Sequence, residues 1–185
     1  MKYNRVMIDL ETLGTRPGCS ILSVGAVFFS SSFDPWKGPT FYSAVNRISC
    51  QKAGLEEDLD TVGWWRGQGA EARGVLVAAD LGSTPGVEEV LQQFASWLTE
   101  NAVSKDFQVW GNGADFDNPI LEAAYLATGR KRPWGPYSGR CYRTLKALAP
   151  QEKIIRTGTH HNALDDAVSQ AEHAVRVLKA LKQPA

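Results

Sequence analysis

The sequence lacks an excess of charge of either sign, because 20 Lys and Arg residues balance 20 Asp and Glu residues over 185 positions. It therefore does not have the strongly basic composition of a protein that holds nucleic acid by bulk charge, and any polyanion-binding surface must be local. Cysteine is also scarce. Cys19, Cys50 and Cys141 are widely spaced and form no Cys-x-x-Cys pair, which fits neither a disulfide framework nor a thiolate zinc site.

Long apolar runs are absent as well. No segment approaches the roughly 18 apolar residues that indicate a membrane-spanning helix. The N-terminal "MKYNRVMIDLET" becomes acidic too early for the apolar region of a signal peptide. Together with the few cysteines, this predicts a cytoplasmic protein that is neither secreted nor inserted in a membrane.

Hydrophobic patterning predicts a mixed α/β fold. Apolar runs between turn-rich segments indicate three opening antiparallel strands, at 5–10, 21–29 and 41–45. Helix-type patterns follow at 83–100, 119–129, 143–150 and 163–182, with a strand at 107–113. This order favours a mixed sheet flanked by helices in one domain over residues 1–185, with a short flexible tail from about residue 182.

The segment "VMIDLET" places two carboxylates on one face of the first strand. Side chains alternate along a strand, so Asp9 and Glu11 lie side by side while Ile8 and Leu10 face the other way. Such a pair repels unless solvent screens it or a cation lies between the two groups. A hard divalent ion such as Mg²⁺ would accept these oxygen ligands, although a solvated strand end is the alternative.

A second acidic segment, "GNGADFDNPIL", lies between the predicted strand at 107–113 and the helix that follows. Ligands bind at the carboxyl ends of strands in α/β folds, so this location favours a site. Asn118 directly precedes Pro119 and is the better candidate for the helix cap. Asp117 is then left without a structural role, which makes it a candidate ligand.

The third segment, "HHNALDDA", offers two histidines and two aspartates just before and within the final helix. On a helical wheel, Asp165 falls beside Ser169 on a charged face, whereas Asp166 falls near Gln170 at the edge of the apolar arc. Asp166 is therefore the better ligand candidate. The residues alone leave His160 and His161 unresolved, because both precede the helix.

Taken together, "IDLET", the "FD" of "GNGADFDNPIL" and "HNALDD" resemble, in order and spacing, the three motifs of the DEDDh 3'-5' exonucleases. Their superfamily includes RNase T, oligoribonuclease and the proofreading subunits of DNA polymerases, and it has an RNase H-like fold. Further segments, "WWRGQGAEAR", "VWGNGADFDNPIL" and "CYRTLKAL", resemble small phage and bacterial members that are exodeoxyribonuclease VIII-like or related to a mycobacterial exoribonuclease.

The resemblance implies hydrolysis of DNA or RNA from a free 3' end, with release of nucleoside 5'-monophosphates. It selects His161 as general base and implies two Mg²⁺ or Mn²⁺ ions. The implied metal ligands, which also count as catalytic residues, are Asp9, Glu11, Asp117 and Asp166. Leu10 and Thr12 are expected to line the pocket for the terminal nucleotide.

Residues 130–156 supply a local basic surface, with eight Lys or Arg against Glu152 and with Trp134, Tyr137 and Tyr142 interleaved. Arg140 and Arg143 are the preferred phosphate contacts. Trp64 and Trp65 are candidates to cover the substrate end; neighbours on a helix do not share a face, so one is expected in the core. Trp65 is the one assigned to substrate. His160 is expected in a solvated loop, and His173 on the polar face of the final helix.

Two alternatives remain at this stage. One is a catalytically inactive nucleic-acid-binding or assembly module on the same fold. The other is a zinc hydrolase that uses His160, His161 and an aspartate. The sequence determines neither whether the substrate is DNA or RNA nor the oligomeric state. A homodimer is compatible with it.

Overall fold

The computed structural model describes residues 3–32 and 34–181. Its first three strands are β1 (Arg5–Thr12), β2 (Ile21–Phe29) and β3 (Lys37–Ala44), and they pair antiparallel in chain order. Every position of β2 is buried, because the sheet is covered on both faces. The prediction of β2 is confirmed in its bounds, whereas β3 begins earlier than predicted.

Two short parallel strands complete the sheet. β4 (Gln108–Gly111) pairs with β1, and β5 (Gly139–Cys141) pairs with β4, which gives the order β3-β2-β1-β4-β5. The predicted mixed sheet, with antiparallel strands followed by parallel ones, is confirmed. Because β1 and β4 are parallel neighbours, their carboxyl ends lie together at one edge of the sheet.

Seven helices are described in residues 3–32 and 34–181: α1 (Arg47–Lys52), α2 (Leu59–Arg66), α3 (Ala70–Asp80), α4 (Val87–Asn101), α5 (Asp117–Ala127), α6 (Tyr142–Ala147) and α7 (Ala163–Ala180). The last four correspond to the predicted helices. The side chain of Asn162 accepts hydrogen bonds from the backbone N–H groups of Leu164 and Asp165, which fixes the start of α7 as predicted. None of these helices is long and apolar enough to cross a membrane.

Two hydrophobic clusters cover the two faces of the sheet. Val6, Ile8 and Leu10 of β1 pack in one cluster with the apolar sides of α4 and α5. Met7 packs in the other cluster with α6 and α7. The alternation predicted for β1 is therefore confirmed, and Asp9 and Glu11 lie on the face that α7 covers.

Helices α1, α2 and α3 were not predicted. Helices α2 and α3 enclose a third cluster in which Leu13 and Leu22, from the β1 end and from β2, meet Val62 and Trp65 of α2, whereas Cys50 of α1 packs in the first cluster. Their apolar residues face one small cluster rather than a long stripe, so the helical period is weak. This layer forms one wall of the site described below.

The wheel assigned two residues of α7 to the wrong face. Ser169 and His173 were predicted on a polar, solvated face, yet they are 1% and 2% exposed. The Tyr142 hydroxyl lies 2.6 Å from His173 Nδ1, and His173 Nε2 lies 2.9 Å from the Glu152 carbonyl oxygen. The segment after α6 folds back over this face of α7, which the pattern of α7 alone does not reveal. The predicted tail from about residue 182 lies outside the described residues.

Candidate active site

Strand β1 holds Asp9 and Glu11 side by side, two residues apart on the same face of the sheet. Asp9 is partly buried, and Glu11 is 7% exposed. Burial combined with the charges of neighbouring carboxylates raises the pKa of Glu11 to about 8 and the pKa of Asp9 well above its usual range. A solvated strand end, the alternative considered from sequence, is therefore excluded.

Asp117 lies beside this pair at the start of α5 and is 1% exposed. Its Oδ1 accepts a hydrogen bond from the backbone N–H of Leu10 at 3.2 Å, and its Oδ2 accepts one from Asn112 at 2.7 Å. Burial raises the pKa of Asp117 to about 6, although these hydrogen bonds oppose the rise. A Cβ atom on Gly111 would lie 2.8 Å from Oδ2, so glycine is required for this close approach.

The structure corrects the earlier assignment of roles around Asp117. This residue has a structural role after all, because it ties the end of β1 to the turn after β4. Asn118 is not the helix cap; its side-chain amide donates to the carbonyl of Val109 at 3.1 Å. The residue at the cap position, Phe116, makes no side-chain cap hydrogen bond.

Helix α7 brings Asp166 to the carboxylates of β1. One ligand oxygen from each of Asp9, Glu11 and Asp166 lies within 4.8 Å of the others. Asp165 instead turns to the preceding loop, where it accepts a hydrogen bond from the backbone N–H of Thr159 at 2.8 Å. The wheel prediction that Asp166, and not Asp165, approaches the rest of the protein is confirmed.

Close packing at Gly25 makes this approach possible. Gly25 pairs with Asp9 across β1 and β2, and a Cβ atom on it would lie 2.1 Å from the carbonyl carbon of Ala163. The first turn of α7 therefore rests directly on the backbone of β2. Glycine at this position determines how near Asp166 comes to Asp9.

His161 has an unusual backbone conformation, with φ at 63°, in the left-handed region that residues other than glycine seldom adopt. Its N–H donates to Asp166 Oδ2 at 3.0 Å, which ties the histidine to the carboxylate cluster. Partial burial and the neighbouring His160 lower the pKa of His161, whereas Asp166 opposes this change. Strained residues of this kind are common at functional sites.

As predicted, one of the two neighbouring tryptophans is buried in the core and the other is exposed. The prediction of which one is exposed is wrong. Trp65 is 1% exposed, and its indole N–H donates to the carbonyl of Thr12 at 2.8 Å, so it is the core residue. Trp64 is 47% exposed, and its ring centroid lies 5.0 Å from that of His161. Trp64 therefore offers the free aromatic face that was predicted for Trp65.

These groups line a cavity of about 610 Å³, a usual size for a small-molecule or nucleotide site. Leu10 and Thr12 line it as predicted, and Thr12 donates its hydroxyl hydrogen to the Gly14 carbonyl at 2.6 Å. The other residues that line it include Asp9, Glu11, Trp64, Trp65, Asn112, Phe116, Arg156, His160, His161, Asp166 and Gln170.

The two predicted arginines lie in different places. Arg143 does not line this cavity, but it donates at 2.8 Å to the carbonyl of Asn112, which does. Arg140 instead donates to the carbonyls of Tyr137 and Gly139 and lines a separate cavity near the start of β4. The assignment of Arg140 to the same substrate site is therefore not supported, because its position on β5 directs it to other neighbours.

Sequence reasoning did not single out two polar residues that touch the carboxylates. Arg156 forms an ion pair with Asp166, and it was counted only as part of the basic segment. The side-chain amide of Gln170 donates to Asp9 Oδ1 at 2.7 Å. The only signal for Gln170 was its position one helical turn after Asp166, on the same side of α7.

The residues fit a divalent cation. Carboxylate oxygens are the ligands of hard ions such as Mg²⁺, and a bound cation would offset both the burial and the mutual repulsion that raise the pKa values of Asp9 and Glu11. Among the described residues, Gln170 Oε1 and Asn112 Oδ1 are buried and have no hydrogen-bond partner, and both residues line the cavity. His160, His161 and Asp166 also bring ligand atoms within 4.8 Å of one another, which is the set that the zinc alternative names.

Comparison with known proteins gives a consistent result. The family model described as the 3'-5' exoribonuclease Rv2179c-like domain matches residues 4–178. No curated protein sequence matches. The fold resembles the nuclease domain of 3'hExo, a DEDDh family member bound to rAMP, with a TM-score of 0.65, 15% identity, and coverage of 96% of this chain and 93% of that one.

Two further structures share the fold with similar TM-scores and sequence identities. Exonuclease X in complex with 5' overhanging duplex DNA gives a TM-score of 0.56 at 16% identity, with 98% of this chain and 95% of that chain covered. E. coli Exonuclease I in complex with an oligonucleotide gives 0.56 at 15% identity, with 98% of this chain but 41% of that chain covered. The RNase H-like exonuclease fold expected from the motifs is confirmed.

Proposed function

We propose, on the premise that this chain belongs to the Rv2179c-like 3'-5' exoribonuclease domain family, that it shortens RNA or DNA from a free 3' end and releases nucleoside 5'-monophosphates. Family and fold identify a nuclease; the direction of hydrolysis, the products and the residue roles are the proposal. The observation that carries it is the convergence of Asp9, Glu11, Asp166 and His161 on one cavity, with Asp117 buried next to them and bonded to the backbone of Leu10. The family description favours RNA as the faster substrate.

Asp9, Glu11, Asp117 and Asp166 are the proposed ligands of two Mg²⁺ or Mn²⁺ ions. Such a pair supplies Lewis-acid stabilisation of the attacking and leaving oxygens of a phosphodiester. The carboxylates themselves come from β1, α5 and α7, which are fixed by packing on one sheet. Their positions therefore need little rearrangement when a substrate binds.

His161 is the proposed general base. An unprotonated ring nitrogen accepts a proton from the attacking water, the water oxygen forms a bond to phosphorus, and the bond from phosphorus to the 3' oxygen breaks. The leaving 3' oxygen then takes up a proton from solvent. Burial and His160 lower the pKa of His161, so the neutral imidazole predominates at pH 7, as a base requires.

The proposed substrate contacts are Leu10, Thr12, Trp64 and Arg143. Leu10 and Thr12 flank Glu11 and line the cavity, so they are suited to enclose the terminal nucleotide. Trp64 presents an exposed ring beside His161, and stacking of a base on an aromatic ring contributes about 1–3 kcal/mol. Arg143, which is bonded to the cavity-lining residue Asn112, is suited to a phosphate.

The test is a time course with single-stranded RNA and DNA of one sequence, labelled at the 5' end, in Mg²⁺ or Mn²⁺. A ladder that shortens one nucleotide at a time is expected, faster for RNA, with none from the Asp166→Asn protein. Strands that are bound but not shortened with either metal would instead support the inactive binding module. Hydrolysis that needs Zn²⁺ and not Mg²⁺ would support the His160, His161 and Asp166 site.

Three further expectations stay predictions: the single-domain organisation over residues 1–185, a homodimer, and a cytoplasmic location. None of them alters the proposed chemistry, because every proposed ligand and the proposed base come from one chain.

A further inference from the structure

Gln170 is a polar residue in an unusual place. It lies on α7 one turn after Asp166, is 3% exposed, and lines the cavity of the carboxylate cluster. Its neighbours along this side of the helix, Ala163, Ala167 and Ala174, are small and apolar. A long amide at this position is therefore not explained by packing alone.

Its donor group fixes the orientation of one carboxylate. Nε2 donates to Asp9 Oδ1 at 2.7 Å, which occupies one oxygen of Asp9 with a neutral partner. The other neighbours of Asp9 are the like charges of Glu11, Asp117 and Asp166, which would otherwise push its carboxylate away. A neutral amide holds Asp9 in place without adding a positive charge that would compete with a cation.

Its acceptor group has no partner. Gln170 Oε1 is buried and makes no hydrogen bond to any of the described residues. Buried carbonyl oxygens are nearly always paired with protein or with ordered water, so an unpaired one in a residue that lines the cavity indicates a ligand or a held water. Mg²⁺ usually retains several of its waters in protein sites, and these waters are hydrogen-bond donors.

We infer that Gln170 is a positioning residue of the metal site, whose amide N–H aligns Asp9 and whose carbonyl oxygen would accept a hydrogen bond from a water of a bound divalent ion. This inference rests on the proposed function, because it requires Asp9 to be a metal ligand. It assigns Gln170 to the support of the ligand set rather than to contact with the reacting atoms. Residues that orient ligands in this way change metal affinity about 10- to 100-fold.

The test is calorimetric titration of Mg²⁺ into the unmodified protein and into Gln170→Met, which keeps the length of the side chain but removes donor and acceptor. A loss of Mg²⁺ affinity of about 10- to 100-fold is expected. Ser169→Ala is the matched control. Ser169 is the adjacent buried residue of α7, but it bonds Thr157 and not the carboxylates, so the affinity should stay unchanged.

Two further readouts separate positioning from general stability. Ca²⁺ tolerates irregular coordination whereas Mg²⁺ requires near-octahedral geometry, so Gln170→Met should lower Mg²⁺ affinity more than Ca²⁺ affinity. In hydrolysis assays, the Mg²⁺ concentration for half-maximal rate should rise by a similar factor, and saturating Mg²⁺ should restore most of the rate. Thermal unfolding in EDTA shows whether each variant is folded.

Gln170→Asn is the second variant, in case Gln170→Met does not fold. It keeps an amide in the buried position but is one methylene too short to reach Asp9, so it should lose Mg²⁺ affinity as well. Unchanged Mg²⁺ affinity in a folded variant, or an equal loss in Ser169→Ala, would overturn the inference. If the unmodified protein itself binds no Mg²⁺ or Mn²⁺, the proposed two-metal function fails, and this result is distinct from the first two.

Discussion

At the scale of single residues, the site is a set of acids placed where ionisation is unfavourable. Glu11 and Asp117 are nearly inaccessible to solvent, and their pKa values lie at about 8 and about 6. Proteins seldom bury several carboxylates together unless a cation or a shared proton compensates for the repulsion. This cost is the physical reason to assign the cluster to metal binding rather than to fold stability.

The two adjacent aspartates of α7 provide the first prediction. Asp166→Asn should reduce hydrolysis more than about 100-fold, since even residues that only orient metal ligands contribute 10- to 100-fold. The fold should persist, because the change also removes one charge from a repulsive cluster. The measurements are the initial rate of 3' shortening and the thermal unfolding temperature.

Asp165→Asn is the matched control for this pair. The amide oxygen of asparagine can still accept the hydrogen bond from Thr159 N, so rate and stability should both stay near those of the unmodified protein. An inactive, folded Asp165→Asn protein beside an active Asp166→Asn protein would reverse the assignment of the two aspartates.

His161 provides the second prediction, which concerns pH. Because burial and His160 lower its pKa, the rate should fall only as the pH drops below the ordinary histidine value of about 6.5. His161→Gln should reduce the rate about 10²- to 10⁴-fold and remove this acidic limb, while Mg²⁺ affinity changes little. Single-turnover rates between pH 5 and 8 test it, with Mg²⁺ raised at each pH until the rate no longer changes, because protons also compete with Mg²⁺ for the carboxylates. A limb that persists in His161→Gln at saturating Mg²⁺ would contradict the role as base.

Sequence reasoning reached these residues by different routes. Strand alternation predicted that Asp9 and Glu11 share a face, and the wheel of α7 separated Asp166 from Asp165. The choice of His161 over His160 needed the family resemblance, because a left-handed residue before a helix has no periodic signal. The contacts of Gln170 and Arg156 with the carboxylates depend on how α7 and the loop before it pack. A pattern of polar residues does not encode this packing.

At the scale of secondary-structure elements, the contact between α7 and β2 sets the distance between the carboxylates of β1 and Asp166 of α7. Gly25 lies opposite Asp9, and the first turn of α7 rests on it. Replacing Gly25 by alanine would insert a methyl group where the backbone of Ala163 lies 2.1 Å away. The helix start must then move away from β1, and Asp166 and His161 move with it.

Gly25→Ala should therefore lower both stability and activity. Overpacking of this kind costs about 1–3 kcal/mol, occasionally more, and here the obstacle is backbone that cannot rotate away. Chemical denaturation measures the stability, and Mg²⁺ affinity should fall because the carboxylates separate. A Gly25→Ala protein with unchanged Mg²⁺ affinity would show that this contact does not set the site geometry.

Gly63→Ala is the corresponding control within a helix. Gly63 is exposed on α2, and a Cβ atom there would meet nothing within 4 Å. Alanine at this position should raise the free energy of unfolding by about 0.5–1 kcal/mol, since glycine loses more backbone entropy in a helix.

Elements with a long regular pattern were predictable, and elements that depend on a local cluster were not. The repeated apolar positions of α4 and α7 and the continuous apolar run of β2 gave close bounds. Helices α2 and α3 bury few residues each, mainly Val62, Trp65 and Val75, in the small third cluster. Strand β5 has three residues and exists because it pairs with β4, so its sequence holds little signal.

At the scale of the whole molecule, the balanced charge of the chain conceals a local imbalance. The carboxylate cluster is buried under α7, Arg156 lines the same cavity, and Arg143 is bonded to Asn112, another residue that lines it. A nucleic acid would thus meet positive charge at the rim and, through bound cations, at the centre. This arrangement supports binding of a polyanion by a protein with no net positive charge.

The cluster also links the stability of the whole fold to pH and metal. The folded pKa of Glu11, about 8, and that of Asp117, about 6, lie above their ordinary values of 4.5 and 3.8. The unfolded chain therefore releases these protons at lower pH than the folded protein does. The contribution of Glu11 and Asp117 to the free energy of unfolding is fully present below their unfolded pKa values, and it is lost as the pH rises through their folded pKa values.

In EDTA, the unfolding temperature should accordingly fall between pH 5 and pH 8, by roughly 10–20 °C, because over this range Glu11 contributes about three pKa units and Asp117 about one, each unit corresponds to about 1.36 kcal/mol, and each kcal/mol to about 2–4 °C. Glu11→Gln should flatten much of this decline, because its side chain has no proton to release. Mg²⁺ should restore stability at pH 8 and have little effect at pH 5, where protons occupy the same oxygens. Differential scanning calorimetry measures the unfolding temperature of the unmodified protein in EDTA, of Glu11→Gln in EDTA, and of the protein with Mg²⁺. An unfolding temperature that stays constant or rises between pH 5 and pH 8 in EDTA would mean that the carboxylates are not buried close to one another as the structure requires.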